Sequence, residues 1–149
     1  MRNKFFLLFL LFLFLSNCGY KPIYSTKNLN FTIKNIEKSN TSLNNKFGKS
    51  INALKNRESD KKINIKIESE KKIKIKSKDS KGNALVFEIE IYLKFESPNI
   101  DNKREKIFLR KITYNNSDDK FKLKQYENEL EDILINEIVE DLINYLSSI

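Results

Sequence analysis

Residues 84–95 read Ala-Leu-Val-Phe-Glu-Ile-Glu-Ile-Tyr-Leu-Lys-Phe. Leu85, Phe87, Ile89, Ile91, Leu93 and Phe95 alternate with Val86, Glu88, Glu90, Tyr92 and Lys94. Only an extended chain holds a period of two on one face, so this stretch predicts a β-strand. Its apolar side is the expected centre of the core, with strand neighbours on both flanks. Just before it, Asp79-Ser80-Lys81-Gly82 marks a turn, with Gly82 suited to positive φ.

Upstream of that turn the same period continues. Ile63, Ile65 and Ile67 share one face, and Ile73 and Ile75 have the same parity. Lys62, Asn64, Lys66, Lys72, Lys74 and Lys76 point the other way. Between the two apolar groups, Ser69-Glu70-Lys71 is polar on both faces. It fits either the wet centre of one long strand or the turn of a tight hairpin. The absence of Gly, Asn and Pro there favours one strand.

Downstream, a loop with Pro98, Asn99, Asp101 and Asn102 leads into residues 105–115, where the alternation slips. Ile107 and Leu109 have one parity, Phe108, Ile112 and Tyr114 the other. A bulge near Arg110 and Lys111 would reconcile them. A strand apolar on both faces fits equally well.

The remaining elements are one strand and two helices. Residues 29–33 alternate and predict a first strand, completed by 34–37. Asn40, Thr41 and Ser42 offer N-cap oxygens. Leu43, Phe47, Ile51 and Leu54 then form one helical stripe running to about Arg57, interrupted by Gly48, which either permits a close approach to the sheet or is merely tolerated. Beyond a linker at 115–119, the segment from about Lys124 to Ser147 is helical, with Leu130, Leu134, Ile138, Leu142 and Leu146 in step. Its early Glu127, Glu129, Glu131 and Asp132 lie toward the positive end of the helix dipole.

The predicted order is strand-helix-strand-strand-strand-helix: an α+β domain with two helices on one face of a four-stranded mixed sheet. The last three strands form an antiparallel meander, and the first returns through a helix parallel to a neighbour. The opposite sheet face is polar and lysine-bearing.

The N-terminus has a different character. Arg2 and Lys4 precede an unbroken apolar run from Phe5 to Leu15. Such a run spans about 16 Å as a helix, roughly half a bilayer core, so it reads as a secretory signal peptide rather than a permanent anchor. Leu15, Ser16, Asn17 and Cys18 resemble a bacterial lipobox, with Asn17 departing from the usual small residue. In that motif the Cys18 thiol takes a diacylglyceryl group, and cleavage before it frees an amine for further acylation. The competing reading is an ordinary signal peptide with a chance cysteine. Cys18 is the only cysteine in the chain, and an unpaired thiol would be a liability in an oxidising compartment whereas a lipidated one is inert. Two or three acyl chains give stable anchoring. Gly19 is not the aspartate that retains such lipoproteins in the inner membrane, which predicts a lipid-anchored protein on the periplasmic face of the outer membrane. The divisions follow: 1–17 signal peptide, 18–28 lipidated Cys18 and tether, 29–149 a single domain.

Without its leader the chain keeps roughly 130 residues, enough for one core without disulfide or metal. It has no histidine, and with its one cysteine lipidated, zinc, haem and His- or Cys-based catalysis lose their usual groups. No cofactor, metal site or catalytic residue is expected. Glu88 and Glu90 lie on the solvent side of a strand. Ser59 to Lys62 and Ser69 to Lys72 have Ser-x-x-Lys spacing but none of the accompanying hydrolase motifs. Three glycines make no phosphate loop.

The net charge is +8, which suits a polyanion, although Lys enrichment runs through the whole chain. Lys66, Lys72, Lys74 and Lys76 are the candidate anion contacts, alternate residues of a strand lying about 7 Å apart. Arg104, Lys106, Arg110 and Lys111 are candidates to extend that row. The alternative is an ordinary charged face, with lysines guarding an edge strand. Nucleic acid is an unexpected partner for a secreted lipoprotein.

Taken together, Cys18-Gly-Tyr-Lys-Pro-Ile-Tyr24 resembles the Cys-Gly-Phe-x-Pro-Leu-Tyr opening of the lipopolysaccharide-assembly lipoprotein family, LptE or RlpB-like, especially its alphaproteobacterial branch. Residues 44–54 resemble its first helix, 78–84 its turn before a strongly alternating strand, Ile112-Thr-Tyr-Asn115 its Val-x-Ser-Tyr-Asn segment, and 127–146 its long C-terminal helix. Phe121 departs where the family often has tyrosine. The resemblance implies a non-enzymatic plug inside a large outer-membrane β-barrel, LptD, which helps the barrel assemble and lipopolysaccharide reach the outer leaflet. Two alternatives come from other classes: a periplasmic carrier or chaperone for a different amphiphile, without a barrel partner and with a cavity between helices and sheet, and a lipid-anchored hydrolase, which would require a serine or carboxylate cluster in a cleft.

Overall fold

The computed structural model describes residues 31–53, 59–98 and 104–148. The signal peptide, Cys18 and its lipobox, the tether, and the predicted helix end at 54–57 lie outside the described residues. The elements are β1 (Thr32–Lys38), α1 (Ser42–Asn52), β2 (Lys62–Lys78), β3 (Ala84–Ser97), β4 (Arg104–Asn115) and α2 (Lys120–Ser147). The sheet order is β1-β2-β3-β4, with β1 parallel to β2 and both later pairings antiparallel. Fold class, element order and strand directions are those expected from the sequence.

β3 is paired along both sides, and its inward residues Ile89, Ile91, Leu93 and Phe95 are fully buried beneath the helices. α2 brings Leu134, Ile138 and Leu142 onto that face, and α1 brings Phe47 and Ile51. Aromatic rings close the β4 flank, where Tyr145 meets Phe95 and Phe108 edge-on. The centre of the layer is filled with fully buried side chains, and an open groove lies at its edge between β4 and α2, beside Phe108, Arg110, Asp141 and Tyr145.

β1 covers most of the expected 29–37 and ends one residue later, at Lys38, while residues 29 and 30 lie outside the described residues. A bulge between Ile33 and Asn35 re-phases the strand, so Ile33 pairs with Ile63 and Ile36 with Ile65. β2 is one continuous strand of 17 residues, the favoured of the two readings. The turn that follows is tied by Asp79, whose carboxylate accepts from the backbone N–H groups of Lys81 and Asn83 at 2.9 and 2.8 Å. Gly82 stands at φ 88°, a conformation that penalises any Cβ.

β4 contains no bulge. Its pairing with β3 runs unbroken from Val86↔Asn115 to Ser97↔Arg104. Phe108, Arg110, Ile112 and Tyr114 therefore face the helices, while Ile107 and Leu109 stand exposed on the opposite face. Of the two readings left open, the strand apolar on both faces is the one observed.

α2 starts a turn earlier than its apolar period, because Asp119 caps it and accepts from the N–H groups of Phe121 and Lys122. The acidic group from Glu127 to Asp132 consequently lies beyond the first turn, and the dipole argument applies to Asp119 instead. In α1, a Cβ on Gly48 would stand 2.7 Å from Cε of Lys38. The glycine gives the Lys38 stem passage from β1 across the helix to the side-chain amide oxygen (Oδ1) of Asn45.

Burial makes the two ends of the sheet unequal, and stability should report it. Ile91→Ala, in the filled core, should lower unfolding stability by about 2–5 kcal/mol. Ile75→Ala should change it by about 0.5 kcal/mol or less, since Ile75 is 50 % exposed. Urea unfolding of the two variants beside the parent measures the contrast.

Candidate functional site

The open face of the sheet carries the predicted lysines together, all on β2 and all pointing away from the helices. Each has a carboxylate partner. Lys66 lies 3.5 Å from Glu68 and Lys72 3.1 Å from Glu70. Lys74 is 2.6 Å from Glu90, and Lys76 is 3.3 Å from Glu88, both across to β3. The row is therefore an ion-pair lattice rather than a line of bare cations.

The two β3 carboxylates are more buried than a solvated strand face would leave them. Glu88 and Glu90 are only 6 % exposed, lying under the lysine stems and beside β4. The Lys74 ammonium and then the Tyr92 hydroxyl, which donates at 2.9 Å, hold the Glu90 carboxyl below its ordinary pKa against the opposing effect of burial. The same contact with Glu90 pushes the Tyr92 phenol up. Lys72 lies 5.0 Å above the Tyr92 ring, a cation–π contact that further occupies it.

The proposed extensions of the row divide between faces. Lys111, opposite Glu90, shares the open face. Arg110 turns to the helix side and binds Asp141 and Glu137 of α2. Lys106 also turns that way, its ammonium 4.2 Å from the Tyr145 ring centre. Arg104 pairs with Ser97 at the far end of the strand.

A second polar cluster lies on the helix side, where α1, α2 and β2 meet. Glu131, 6 % exposed, binds Lys46 of α1 at 2.7 Å and also Lys71 of β2. Beside it the buried Asn44 side chain accepts from the Ser69 hydroxyl at 2.6 Å and donates to Ser39 at 2.7 Å. These contacts account for the polar centre of β2: Ser69 and Lys71 face the helices but are met by polar partners. Sequence reasoning passed over Asn44, Lys71 and Glu131. Their signal was polar residues at core-facing positions of three different elements.

Burial pushes the Glu131 carboxyl up, but hydrogen bonds from Lys46 and Lys71 outweigh it, and its pKa lies below the ordinary value. Burial pulls the Lys46 ammonium down, and Asp132 and Glu131 more than offset it, leaving that pKa raised. One turn earlier on α2, Glu127 accepts from the Tyr114 hydroxyl at 2.7 Å, and burial together with that hydrogen bond pushes the Tyr114 phenol up. Among the described residues no cluster of His, Cys, Asp and Glu could hold a metal ion.

By sequence, neither a protein-family model nor a characterised protein matches the chain. By shape, several solved bacterial lipoproteins do. A minor lipoprotein from Acinetobacter baumannii is similar over 80 % of this chain and 92 % of its own, with TM-score 0.58 and 12 % identity. Lipoprotein B from Nitrosomonas europaea is similar over 80 % of this chain and 84 % of its own, with TM-score 0.58 and 14 % identity. Rare lipoprotein B from Shewanella oneidensis is similar over 74 % of this chain and 95 % of its own, with TM-score 0.54 and 10 % identity. The chain has the fold of these lipoproteins. The likeness is spread across them and singles out no one branch.

The Glu131 contacts carry a pH signature. Glu131→Gln should lower stability by about 1–2 kcal/mol at pH 7, the exposed side of each lysine being screened. A carboxyl with a depressed native pKa contributes fully above its unfolded value and loses that contribution as pH falls through the native one. The gap between parent and variant should therefore shrink once pH falls below about 4.3 and close as pH passes the depressed native pKa, and it should narrow again above about pH 10.4 as Lys46 deprotonates. Denaturant unfolding across pH 3–11 measures it.

Proposed function

We propose that this protein is a lipid-anchored, non-catalytic lipoprotein of the outer membrane's periplasmic face that docks as a plug within a large LptD-like β-barrel. In that position it helps the barrel assemble and helps lipopolysaccharide reach the outer leaflet. The observation that carries the reading is the shared fold, which spans nearly the whole length of lipoproteins solved from three other bacteria. The Cys18 lipobox and the opening Cys18-Gly-Tyr-Lys-Pro-Ile-Tyr24 support the same reading from the sequence.

A sheet face whose charges are paired within the sheet is physically suited to a plug. The lumen of a large barrel is polar, and a charged wall is covered most readily by a surface whose own charges stay compensated when water leaves. Lys66, Lys72, Lys74 and Lys76 are the proposed contacts, either with that wall or with the phosphates of lipid A. A lysine Nζ has three protons to donate, so a lysine already bound to one carboxylate retains capacity for a second anion. The carrier reading is favoured less, because the layer between helices and sheet is occupied by Ile91, Leu93 and Ile138, each fully buried.

Affinity purification of the C-terminally tagged, lipidated protein from outer membranes in mild detergent should recover a near-equimolar complex with one large β-barrel. Recovery of the protein alone, with no barrel captured by in-cell crosslinking, would overturn the reading. The lysine contacts need a gentler test than simple reversal, which would set Glu90 or Glu88 against a new carboxylate. The swaps Lys74→Glu with Glu90→Lys, and Lys76→Glu with Glu88→Lys, keep each pair while moving its cation to the next strand. Lipopolysaccharide binding or barrel co-purification should fall several-fold while stability changes little.

A further inference from the structure

On its outer side β2 outruns its neighbour, although β3 accompanies it on the other side to Lys78. β1 pairs with it only as far as Lys38↔Ile67, and α1 begins level with Ser69, its Asn44 meeting that hydroxyl. Among the described residues no strand flanks the outer edge of β2 beyond Ile67. Burial changes at the same place. Ile63, Ile65 and Ile67 are buried, whereas every residue from Glu70 to Lys78 is exposed. Ile73 is 44 % exposed, and Leu85 across the hairpin 48 %.

The backbone of this edge is oriented for pairing. The Thr32 N–H donates to the Lys61 carbonyl at 2.7 Å, so odd-numbered residues of β2 present their N–H and C=O groups to the β1 side. Past the end of β1, Ser69, Lys71, Ile73 and Ile75 present the same groups with no strand opposite. Even-numbered residues carry the lysines on the open face, and Ile73 and Ile75 form a half-buried step on the helix face.

We propose that this edge is a docking site for an extended segment of another protein, about seven to nine residues long, alternating carboxylate with apolar side chains. Such a segment adds a fifth strand alongside β2 by backbone hydrogen bonds. Its carboxylates fall opposite Lys72, Lys74 and Lys76, and its apolar residues extend the step at Ile73 and Ile75. Charge selects this occupant over a second copy of the chain. Two such edges paired antiparallel about Ile73, where the free edge lies, would set Lys72 against Lys74, which is destabilising. Lys74 and Lys76 lean toward β3 but keep half of their side chains exposed, and each ammonium has protons left to donate. The inference goes beyond the plug reading and is independent of it.

The probe is a fluorescein-labelled nonapeptide alternating Glu and Val, titrated by anisotropy against the full lipidated chain in mild detergent. Saturable binding is expected, together with slowed hydrogen exchange at Ser69, Lys71, Ile73 and Ile75. Ile73→Pro removes an amide that faces the open edge, not the β3 ladder, and should weaken binding about tenfold or more. The same peptide N-methylated on alternate residues should fail against the unaltered chain, a control that needs no variant to fold. Equal binding of the N-methylated peptide, or of a Lys-Val peptide, would overturn the proposal. So would an absence of saturable binding, a dimer protected over the same residues in the free protein, or anionic lipid vesicles displacing the peptide from an edge whose amides they leave unprotected. Barrel co-purification is scored separately, so failure of one reading leaves the other intact.

Discussion

The structure depends on a mismatch of lengths. β2 has 17 residues, while β1 has 7 and α1 has 11. An extended chain of that length spans about 56 Å, but an eleven-residue helix spans only about 16 Å. The helix and first strand therefore cover one end of β2 and must stop near Ser69. Where cover ends, a purely apolar strand would expose isoleucines at full cost, and a purely polar one would lose the core. The strand instead changes chemistry in steps: isoleucines under α1, then Ser69 and Lys71 met by Asn44 and Glu131, then an exposed Lys-Ile alternation.

That central polar step also ties the layers together. Glu131 is bound by a lysine from α1 and another from β2, so one carboxylate on α2 registers both neighbours at once. Buried ion pairs add little net stability over apolar packing, yet removing one partner leaves a stranded charge. Their consequence here is positional. Apolar side chains permit α2 to slide along the sheet with modest loss, while a carboxylate held by two lysines has one location.

Much of this was legible in the sequence because the period of two is strict through Leu85 to Phe95 and through Ile63 to Ile67, and the four-residue step is strict through Leu130 to Leu146. The misses have physical reasons. In β1 the bulge after Ile33 shifts which residues face the core, and a bulge inserts a residue without leaving a sequence mark. The start of α2 lies a turn before its apolar period because Lys120 and Lys122 add nothing to that period, and Asp119 caps the helix ahead of the first core residue. In β4 the alternation was ambiguous because both faces bear large apolar residues, and only the unbroken pairing with β3 assigns Ile107 and Leu109 to the open side. The lysine row was read correctly as a face, but its charge was not: Glu88 and Glu90 share that face from the next strand, and strand-by-strand reading does not add charges across a sheet before its register is known.

Register thus decides what the lysines do. Aligned as Lys74↔Glu88 and Lys72↔Glu90, the two strands place cations and carboxylates on diagonal neighbours, and each buried carboxylate has an ammonium within reach. Shifted by one residue, the same strands would set isoleucines outward and the charges against the helices. The ion-pair lattice is therefore a device for specifying register as well as a surface. It also separates two surfaces on one strand. Toward β3 the lysines are satisfied by their own sheet, which lets that face be covered without supplying a counter-ion for every charge. Toward the free edge, the backbone groups of β2 beyond Ile67 meet no strand among the described residues, so recognition by an outside strand depends on the edge, not on the face.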